Sequence, residues 1–359
     1  MIRLEKKYLV ILIVFWLGIA LFLTLWPFNF LCKNVVTATP DGGFHFESPS
    51  IAYLSQLPTK FSKLKKFSII LEAKSDITLI DFDGIIFGNC IDYNHQNFLM
   101  VQVHGTVEFI INVNGIPKEI FAEGIFEKDN PVWIEIIYDG NELTFLKNGS
   151  VRNVDTIGIL DFSSWNNSYP FVFANGGDGM NPWGGTIFSF DIFDSVVTIS
   201  DRQQLEVIRK QVSPLISLSA HPERTGLYQL QGDISTPSIV IPAIFNPPGK
   251  SLLVSLRNFI EWGHMDYTDF FLNTLLFLPF GFLLRLLLEK YTKRYYLSFF
   301  ITIITGLFLT ITIETLQSFL PIRYTSIIDV LSNTLGTIIG AMIIASPWIR
   351  KLLNLQRQK

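Results

Sequence analysis

Charged side chains are scarce in this chain. Asp, Glu, Lys and Arg make up 16% of its 359 residues, and the formal net charge at pH 7 is −3. Soluble globular domains have about 25% charged residues, and a surface that binds nucleic acid needs a basic excess that is missing here. With 49% hydrophobic residues and a mean hydropathy of +0.36, the composition indicates a protein that is partly embedded in a membrane.

Cysteine and histidine are also rare. The only cysteines, Cys32 and Cys90, exclude a disulfide-rich framework. They could form a disulfide with each other, or they could be two unpaired, buried thiols. The second alternative is favoured because Cys32 lies close to the apolar segment 8–28. The apolar runs contain no histidine, and we interpret His264, which precedes the second run, as an interfacial residue.

Four long apolar runs stand out against this background. They are residues 8–28, 270–288, 296–316 and 327–348. Each run is close to the ~20 residues that a helix needs to cross the hydrocarbon core of a bilayer. We therefore predict a membrane α-helical bundle of four transmembrane helices. The long stretch of mixed polarity between the first and second runs predicts a globular insert.

The first run has a second interpretation, a cleaved signal peptide. It follows Arg3, Lys6 and Lys7, and the small-residue segment 36–38 resembles a cleavage site. The apolar stretch is longer than a typical signal core and ends well before that segment. We therefore expect an uncleaved anchor.

Lysine and arginine determine the predicted orientation. They occur before the first run, between the second and third runs and after the fourth, whereas the loop between the third and fourth runs has only Arg323. The three basic segments lie on one side of a four-helix arrangement. We therefore expect a cell-membrane protein in contact with lipid, with cytoplasmic N- and C-termini and with the insert and Arg323 outside.

The insert alternates short β-rich runs with turns from about residue 43 to residue 194. Asn114-Gly115, Asp139-Gly140 and Asn148-Gly149 favour tight hairpins, and no helical pattern separates the runs. We predict an all-β extracytoplasmic jelly-roll sandwich inserted between helices 1 and 2.

The string VWIEIIYDGNELTFLKNGSVRN, residues 132–153, is more specific. Its Trp, its alternating strand, its Tyr-Asp-Gly and its Asn-Gly resemble the laminin G-like, or concanavalin A-like, family. The later strings PFVFANGG and WGGTIFSFDIFD are similar to the closing strands of that family. The resemblance implies a fold and leaves the function open.

Hydrolysis of sugar by this sandwich is not expected. Glycosidases usually need two positioned carboxylates, and several glucanases with this fold carry Glu-x-Asp-x-x-Glu on one strand, which is missing here. Asp81 and Asp83 share one face but have no third partner. Calcium is the only cofactor that we consider, with Asp83 or Asp178 as ligand, because its spread oxygen ligands leave no spacing signature.

The glycine-rich segment 175–185 is a candidate glycan-binding loop, and its candidate residues are Asn175, Asp178, Asn181 and Trp183. Sugar sites combine amides and carboxylates that bond to hydroxyl groups with an aromatic ring that stacks on the sugar. The alternative is a glycine-rich hairpin whose Trp packs in the core.

Each of the last three apolar runs has a pair of polar residues within it or directly beside it, and all three pairs lie on the predicted outer side of the membrane. The pairs are Asp269 and Asn273, Glu314 and Gln317, and Asp329 and Asn333, with Arg323 in the intervening loop. Spacings of three and four place each pair on one helix face. Because an ionisable group in lipid costs about 2.5–3.5 kcal/mol, we predict one polar cluster of these seven residues, in which Arg323 neutralises Glu314 or Asp329.

Two further features concern how the helices pack. Gly336 and Gly340 form a small-xxx-small pair that lets the fourth helix approach a neighbour closely. Pro279 should kink the second helix.

The string NTLLFLPFGFLL, residues 273–284, together with the polar residues of the last two runs and the string TLWPF that closes the first, resembles the VanZ-like family. The resemblance implies an integral membrane protein associated with resistance to glycopeptide antibiotics such as teicoplanin. Members with a laminin G-like insert between the first two helices are similar in organisation.

Several functions are compatible with these features. In the first, the insert binds an envelope glycan or glycopeptide and the bundle anchors it. In the second, the bundle is an enzyme for a lipid-linked envelope precursor, with Arg323 holding a phosphate and Glu314 or Asp329 as general base. A transporter is the third, although four helices are few, and a purely structural cluster is the fourth. The lack of a serine-based motif and of metal-ligand spacing favours a non-enzymatic protein.

We accordingly divide the chain into four parts. Residues 1–29 form the N-terminus and helix 1, residues 30–200 form the sandwich, residues 201–265 form a linker with a helix and a strand-like piece, and residues 266–359 form helices 2–4 and the tail. The sequence predicts no oligomeric state.

Overall fold

The computed structural model describes residues 5–30, 32–54, 64–76, 84–127, 130–199, 202–219, 239–250, 267–292, 294–321, 323 and 325–353. The chain divides into two compact units. The helical unit consists of Met1–Leu31 and Ser251–Lys359, and the β unit consists of Cys32–Lys250.

The helices are α1 (Lys6–Leu25), α2 (Arg202–Gln211), α3 (Tyr267–Leu288), α4 (Tyr295–Gln317), α5 (Ile327–Ile343) and α6 (Pro347–Leu352), and Phe162–Ser164 form a 3₁₀ turn. The strands are β1 (Val36–Ala38), β2 (Phe44–Phe46), β3 (Ala52–Leu54), β4 (Phe67–Ser75), β5 (Gly84–Cys90), β6 (Gln96–Val103), β7 (Thr106–Val113), β8 (Ile116–Glu123), β9 (Val132–Tyr138), β10 (Glu142–Lys147), β11 (Ser150–Thr156), β12 (Phe171–Phe173), β13 (Gly185–Phe193), β14 (Ile216–Ser219) and β15 (Ile239–Val240).

The β unit is an all-β sandwich of two antiparallel sheets. One sheet has the order β1-β2-β13-β4-β9-β10-β11, with β14 also paired to β13, and the other has the order β15-β3-β12-β5-β6-β7-β8. Alternate residues of each strand face the space between the sheets, as Ile134, Ile136 and Tyr138 do in β9. This period of two explains why the sequence indicates strands so clearly.

Two of the predicted hairpin turns have the backbone that their sequence favours. Asn114 and Gly115 both have positive φ, 55° and 82°, and Asn148 and Gly149 have φ of 49° and 72°. Two consecutive positive φ values match the right-handed twist of the flanking strands, and Asn-Gly adopts them at little cost.

The part of the expected linker that the structure describes belongs to the β unit. β14 pairs with β13, and β15 pairs with β3, so both add strands to the sandwich. α2 packs on the outer face of the first sheet, where Arg209 forms a two-pronged ion pair with the fully buried Asp191 at 3.0 and 2.6 Å. The sandwich therefore extends from Cys32 to Lys250 rather than ending near residue 200.

The two cysteines are unpaired. Cys90 is buried in an apolar cluster on the second sheet, and Cys32 packs against the same cluster. Burial, reinforced by the negative charges of Asp178 and Asp92, raises the pKa of the Cys90 thiol far above its usual range. The thiol is therefore held in its neutral, unreactive form.

Three helices of the helical unit are long and apolar enough to cross a membrane, namely α1, α3 and α4. α5 is apolar but has 17 residues, which at about 1.5 Å per residue span about 25 Å. α3 continues through Pro279. The indole Nε1 of Trp16 in α1 donates to the carbonyl of Leu276 in α3 at 2.9 Å, three residues before this proline.

Gly336 and Gly340 bring α5 against α3, as their spacing predicts. A Cβ atom at Gly336 would lie 2.2 Å from the carbonyl oxygen of Thr274, and one at Gly340 would lie 2.0 Å from that of Leu278. Gly281 of α3 approaches α5 in the same way, at 2.0 Å from the carbonyl oxygen of Thr337. The two backbones therefore touch along their length, which only glycine permits.

Candidate functional site

Five of the predicted polar residues meet at one end of the helical unit, and we call them the polar cluster. Its members are Asp269 and Asn273 of α3, Glu314 of α4, Arg323, and Asp329 of α5. α3 and α5 begin at this end and α4 finishes there, so the first two turns of α3, the first turn of α5 and the last turn of α4 supply four of the side chains, and Arg323 lies between α4 and α5.

Asp329 is at the centre of the polar cluster. Its Oδ1 accepts a hydrogen bond from Nδ2 of Asn273 at 2.8 Å. It interacts electrostatically with Asp269 and Arg323, and also with Glu314. Of the two carboxylates predicted to neutralise Arg323, the structure places Asp329 close enough to interact with it electrostatically.

Glu314 is almost fully buried, with 2% of its surface exposed. Its Oε2 accepts a hydrogen bond from the backbone N–H of Ser326 at 3.1 Å, at the residue that precedes α5. The side-chain Oγ of Ser326 in turn accepts from the N–H of Ile328 at 3.1 Å and caps α5. Glu314 therefore connects the end of α4 to the beginning of α5.

Removal of the Ser326 cap is expected to loosen this connection. Ser326→Ala should lower the free energy of unfolding by about 1 kcal/mol, because it leaves an N–H of the first turn of α5 without its acceptor. Ser346 precedes α6 but makes no side-chain capping bond, so Ser346→Ala is the matched control and should be close to neutral. Equal effects in thermal unfolding of the full chain would contradict the capping role.

Gln317 and Asn333 lie beside the polar cluster but bond elsewhere. Nε2 of Gln317 donates to the carbonyl of Thr24 in α1 at 3.0 Å. Nδ2 of Asn333 donates to Oγ1 of Thr310 in α4 at 2.9 Å, one turn further into the bundle. The seven predicted residues therefore occupy successive layers, and only five of them form the polar cluster.

The opposite end of the helical unit has a second group of charges, which the sequence analysis did not single out. Arg285 Nε donates to Glu289 at 3.3 Å, and Nη1 of Arg350 donates to both carboxylate oxygens of Glu289 at 3.2 and 3.1 Å. The guanidinium of Arg285 lies 4.3 Å from the ring centroid of Tyr295 and 5.0 Å from that of Phe299. An arginine inside an apolar run, with a glutamate four residues later, is the signal that could have revealed this group.

The buried face of α4 was also detectable in the sequence. Ser298, Thr302, Gly306 and Thr310 follow one another every four residues, and Glu314 is next in the series. Small and polar residues on one helix face permit close packing and interhelical hydrogen bonds in a membrane. The series leads directly to the polar cluster.

In the β unit, Trp183 lies in the core between the sheets. Its side chain is fully buried, and its Nε1 donates to Oε1 of Gln102 at 2.8 Å. A ring in this position is not accessible to a sugar. For this residue the structure therefore agrees with the second alternative, a glycine-rich hairpin whose Trp packs in the core.

Two other candidate residues of the segment 175–185 form hydrogen bonds that stabilise the loop. The buried Asn175 donates to the carbonyl of Ser50 at 3.2 Å and accepts from the N–H groups of Gly176 and Asn181. Oδ1 of Asp178 accepts from the N–H of Met180 at 3.0 Å, with only 5% of the residue exposed. Asn181 is half-buried.

A metal site is not apparent in the described residues. No group of three or more His, Cys, Asp or Glu side chains there is placed to hold a metal ion. Asp83, one of the two calcium candidates, lies outside the described residues. Asp178 has the local backbone contacts of a turn residue.

Comparison with known proteins confirms the resemblance that the motifs indicate. The sequence profile of the VanZ/LLP1 family matches residues 205–350. No curated protein matches the chain.

Two solved structures are similar to about half of this chain. The CBM40 domain of the Ruminococcus gnavus IT-sialidase, bound to α2,3-sialyllactose, is 13% identical, and the match covers 49% of this chain and 98% of that one with a TM-score of 0.37. The native heptameric SAP-like pentraxin of Limulus polyphemus is 16% identical, with 49% and 79% covered and a TM-score of 0.32.

Proposed function

We propose that this chain, with its VanZ-like region at residues 205–350, is an integral membrane protein of the cell envelope that binds a ligand at the polar cluster. In this proposal α1, α3, α4 and α5 span the membrane, both termini are cytoplasmic and the β unit is extracytoplasmic. The polar cluster then opens at the outer surface, where it meets the polar part of an envelope component or a glycopeptide antibiotic. The family resemblance is the reason for expecting a link to resistance of the teicoplanin type.

The observation that carries the proposal is the gradient of exposure through the polar cluster. Glu314 is buried, Asn273, Arg323 and Asp329 are half-buried, and Asp269 is exposed. A cluster that only holds helices together gains most when all of its members are buried and paired. Here the charges continue from the interior to the surface, so a ligand from outside can reach them.

The enzymatic alternative receives less support from the geometry. It needs Arg323 to hold a phosphate and a nearby carboxylate to act as general base. Arg323 is instead in the field of Asp329, and Asp269 and Glu314 interact with the same aspartate. Asp329 therefore offsets the charge of Arg323, and the two other carboxylates that interact with Asp329 add negative charge that opposes the approach of an anion.

Glycan binding through residues 175–185 is not part of the proposal. Asn175, Asp178 and Trp183 are buried, and their hydrogen bonds stabilise the loop or the core. Asn181 alone is half-buried, and one amide is too little to orient a sugar ring. A glycan array with the full-length protein is the direct check, and binding that Asn181→Ala abolishes would return the loop to consideration.

Neutral substitutions in the polar cluster test the proposal. Glu314→Gln and Asp329→Asn keep the shape of each side chain and remove its charge. If the cluster binds a ligand, each change should reduce tolerance to teicoplanin by about tenfold or more, because a hydrogen bond to a charged group contributes about 1.5–3 kcal/mol. The measurement is the inhibitory concentration in cells that express each variant, together with the amount of protein in the membrane fraction.

Glu5→Gln is the matched control. Glu5 is an exposed carboxylate next to α1 in the same unit and pairs only with the exposed Lys7 among its described contacts. Its loss should leave tolerance unchanged. Normal tolerance in Glu314→Gln and Asp329→Asn, at normal protein levels, would leave the polar cluster a structural role alone.

A further inference from the structure

The end of the helical unit opposite the polar cluster is strongly basic, and we call it the basic end. In the described part of the chain it carries seven basic and two acidic side chains. The basic residues are Lys6, Lys7, Arg285, Lys290, Arg294, Arg350 and Lys351, and the acidic residues are Glu5 and Glu289. The polar cluster has the opposite balance, with three carboxylates and one guanidinium, so the two ends of the unit differ in the sign of their charge.

Two guanidinium groups at the basic end share one carboxylate. Oε1 of Glu289 accepts from Nε of Arg285 at 3.3 Å and from Nη1 of Arg350 at 3.2 Å. Both guanidinium groups also lie near the ring of Tyr295, at 4.3 and 5.7 Å from its centroid. This group therefore keeps one formal positive charge, and Arg350 is its half-buried member whereas Arg285 is buried.

The beginning of α1 adds an exposed cation next to this group. Nζ of Lys6 lies 3.8 Å from the centroid of the Tyr291 ring, and Tyr291 follows Glu289 by two residues in the turn after α3. An aromatic ring attracts an ammonium group but does not cancel its charge. Lys6 and Arg350 therefore bring positive charge to the end of α3 from two different helices.

Exposed aromatic side chains lie among these bases. Tyr8, Tyr291, Tyr296 and Trp348 are 50%, 66%, 74% and 70% exposed. Tyr and Trp are enriched where a membrane meets water, because one part of the ring is apolar and the other is polar. Since α1, α3 and α4 are apolar enough to cross a bilayer, lipid headgroups are the partner that fits both the bases and the rings at the ends of these helices.

We propose that the basic end binds the headgroups of anionic phospholipids, with Lys6 and Arg350 as its main contacts. The inference shares with the proposed function only the premise that the helices cross a membrane. Anionic lipids are concentrated in the cytoplasmic leaflet, and each Lys or Arg near such a surface strengthens the attraction by about fivefold. The charge of the basic end thus matches the leaflet that the proposed orientation assigns to it.

Quenching of tryptophan fluorescence by brominated lipids tests the proposal on the full chain in nanodiscs. Brominated phosphatidylglycerol or brominated phosphatidylcholine is added at equal mole fraction to phosphatidylcholine, and the difference between the unchanged protein and Trp348→Phe gives the Trp348 component. Phosphatidylglycerol should bind near Trp348 about tenfold or more tightly than phosphatidylcholine, since at least two basic side chains contribute. Trp26 is exposed at the other end of α1, and its component, obtained with Trp26→Phe, should show no preference.

Charge variants connect the lipid preference to the basic end. Lys6→Gln and Arg350→Met should each lower the preference at Trp348 by about fivefold. Because Lys6 is exposed, its variant keeps the test valid even where the loss of Arg350 disturbs α6. Lys118→Gln removes the same charge from an exposed position of β8 and should change nothing. An equal affinity for both lipids at Trp348, an equal preference at Trp26 and Trp348, or an unchanged preference in both charge variants would overturn the proposal.

The outcomes separate this proposal from the proposed function. If Trp348 shows the preference while Glu314→Gln and Asp329→Asn keep normal tolerance to teicoplanin, the lipid-binding surface stands and the ligand site at the polar cluster falls. If those variants lose tolerance and Trp348 shows no preference, the ligand site stands and the lipid-binding surface falls. If neither brominated lipid quenches Trp26 or Trp348, the helices do not cross the membrane as proposed, and both proposals fall.

Discussion

Gly340→Ala is expected to force α3 and α5 apart and to lower the free energy of unfolding of the helical unit by about 3 kcal/mol or more. The added methyl group would lie 2.0 Å from the carbonyl oxygen of Leu278 and 2.8 Å from the backbone nitrogen of Phe282. Overpacking of an interior usually costs about 1–3 kcal/mol. The cost should be at the upper end or above it here, because the clash is with backbone atoms that cannot rotate away.

A glycine of the same unit provides the control. Gly18 lies in α1, and a Cβ atom there would have nothing within 4 Å. Gly18→Ala should therefore be neutral or slightly stabilising, since alanine is the better helix former by up to about 1 kcal/mol. Both variants are compared by thermal unfolding in one detergent. A Gly340→Ala protein as stable as Gly18→Ala would show that α3 and α5 do not approach as closely as the structure has them.

The same change should impair the polar cluster. Asn273 and Asp329, which share a hydrogen bond of 2.8 Å, lie on the two helices that these glycines bring together. Thr274 bonds across the same interface, with its Oγ1 donating to the carbonyl of Ser332 at 3.2 Å. Separation of the helices would lengthen both contacts, so the close glycine packing is a condition for the site as well as for the fold.

The helix faces of the polar cluster could be predicted from the sequence, but not every partner could. Spacings of three and four fix which residues share a face, and the alternation of chain direction places three pairs at one end. The rotation of each helix about its axis is decided by packing. That rotation directs Gln317 toward Thr24 of α1 and Asn333 toward Thr310 of α4, and no local pattern encodes it.

A similar limit applies to the β unit. Alternation predicts strands well, yet the period of two does not show which face of a strand is covered. Trp183 follows a glycine-rich loop, as a sugar-binding Trp would, and it still lies in the core. β14 and β15 are short. β14 pairs with the preceding strand β13 across α2, and β15 joins the sandwich through β3, a partner far away in sequence. Long-range pairings of this kind are the part that single-sequence patterns miss.

Glu289→Ala should destabilise the opposite end of the helical unit by about 3–5 kcal/mol, the usual cost of removing one partner from a buried ion pair. The side chains of Arg285 and Arg350 are only 1% and 12% exposed, and Glu289 is the carboxylate that both contact. Without it, two guanidinium groups stay close together in a site that excludes water. The stacking of Arg285 on Tyr295 would persist but cannot cancel the repulsion.

A double-mutant cycle separates the ion pair from the loss of packing. Arg350→Met removes one positive charge and keeps an apolar stem, so Glu289→Ala combined with Arg350→Met should cost less than the sum of the two single changes. Lys351→Met is the control, because Lys351 is the exposed neighbour of Arg350 on α6, and it should be neutral. Additive costs in thermal unfolding would mean that Glu289 and Arg350 act independently. If the double change costs clearly less than the sum of the single changes, Glu289 and Arg350 are coupled. Because Arg350 lies on α6 and Glu289 directly follows α3, this coupling would connect α6 to the end of α3.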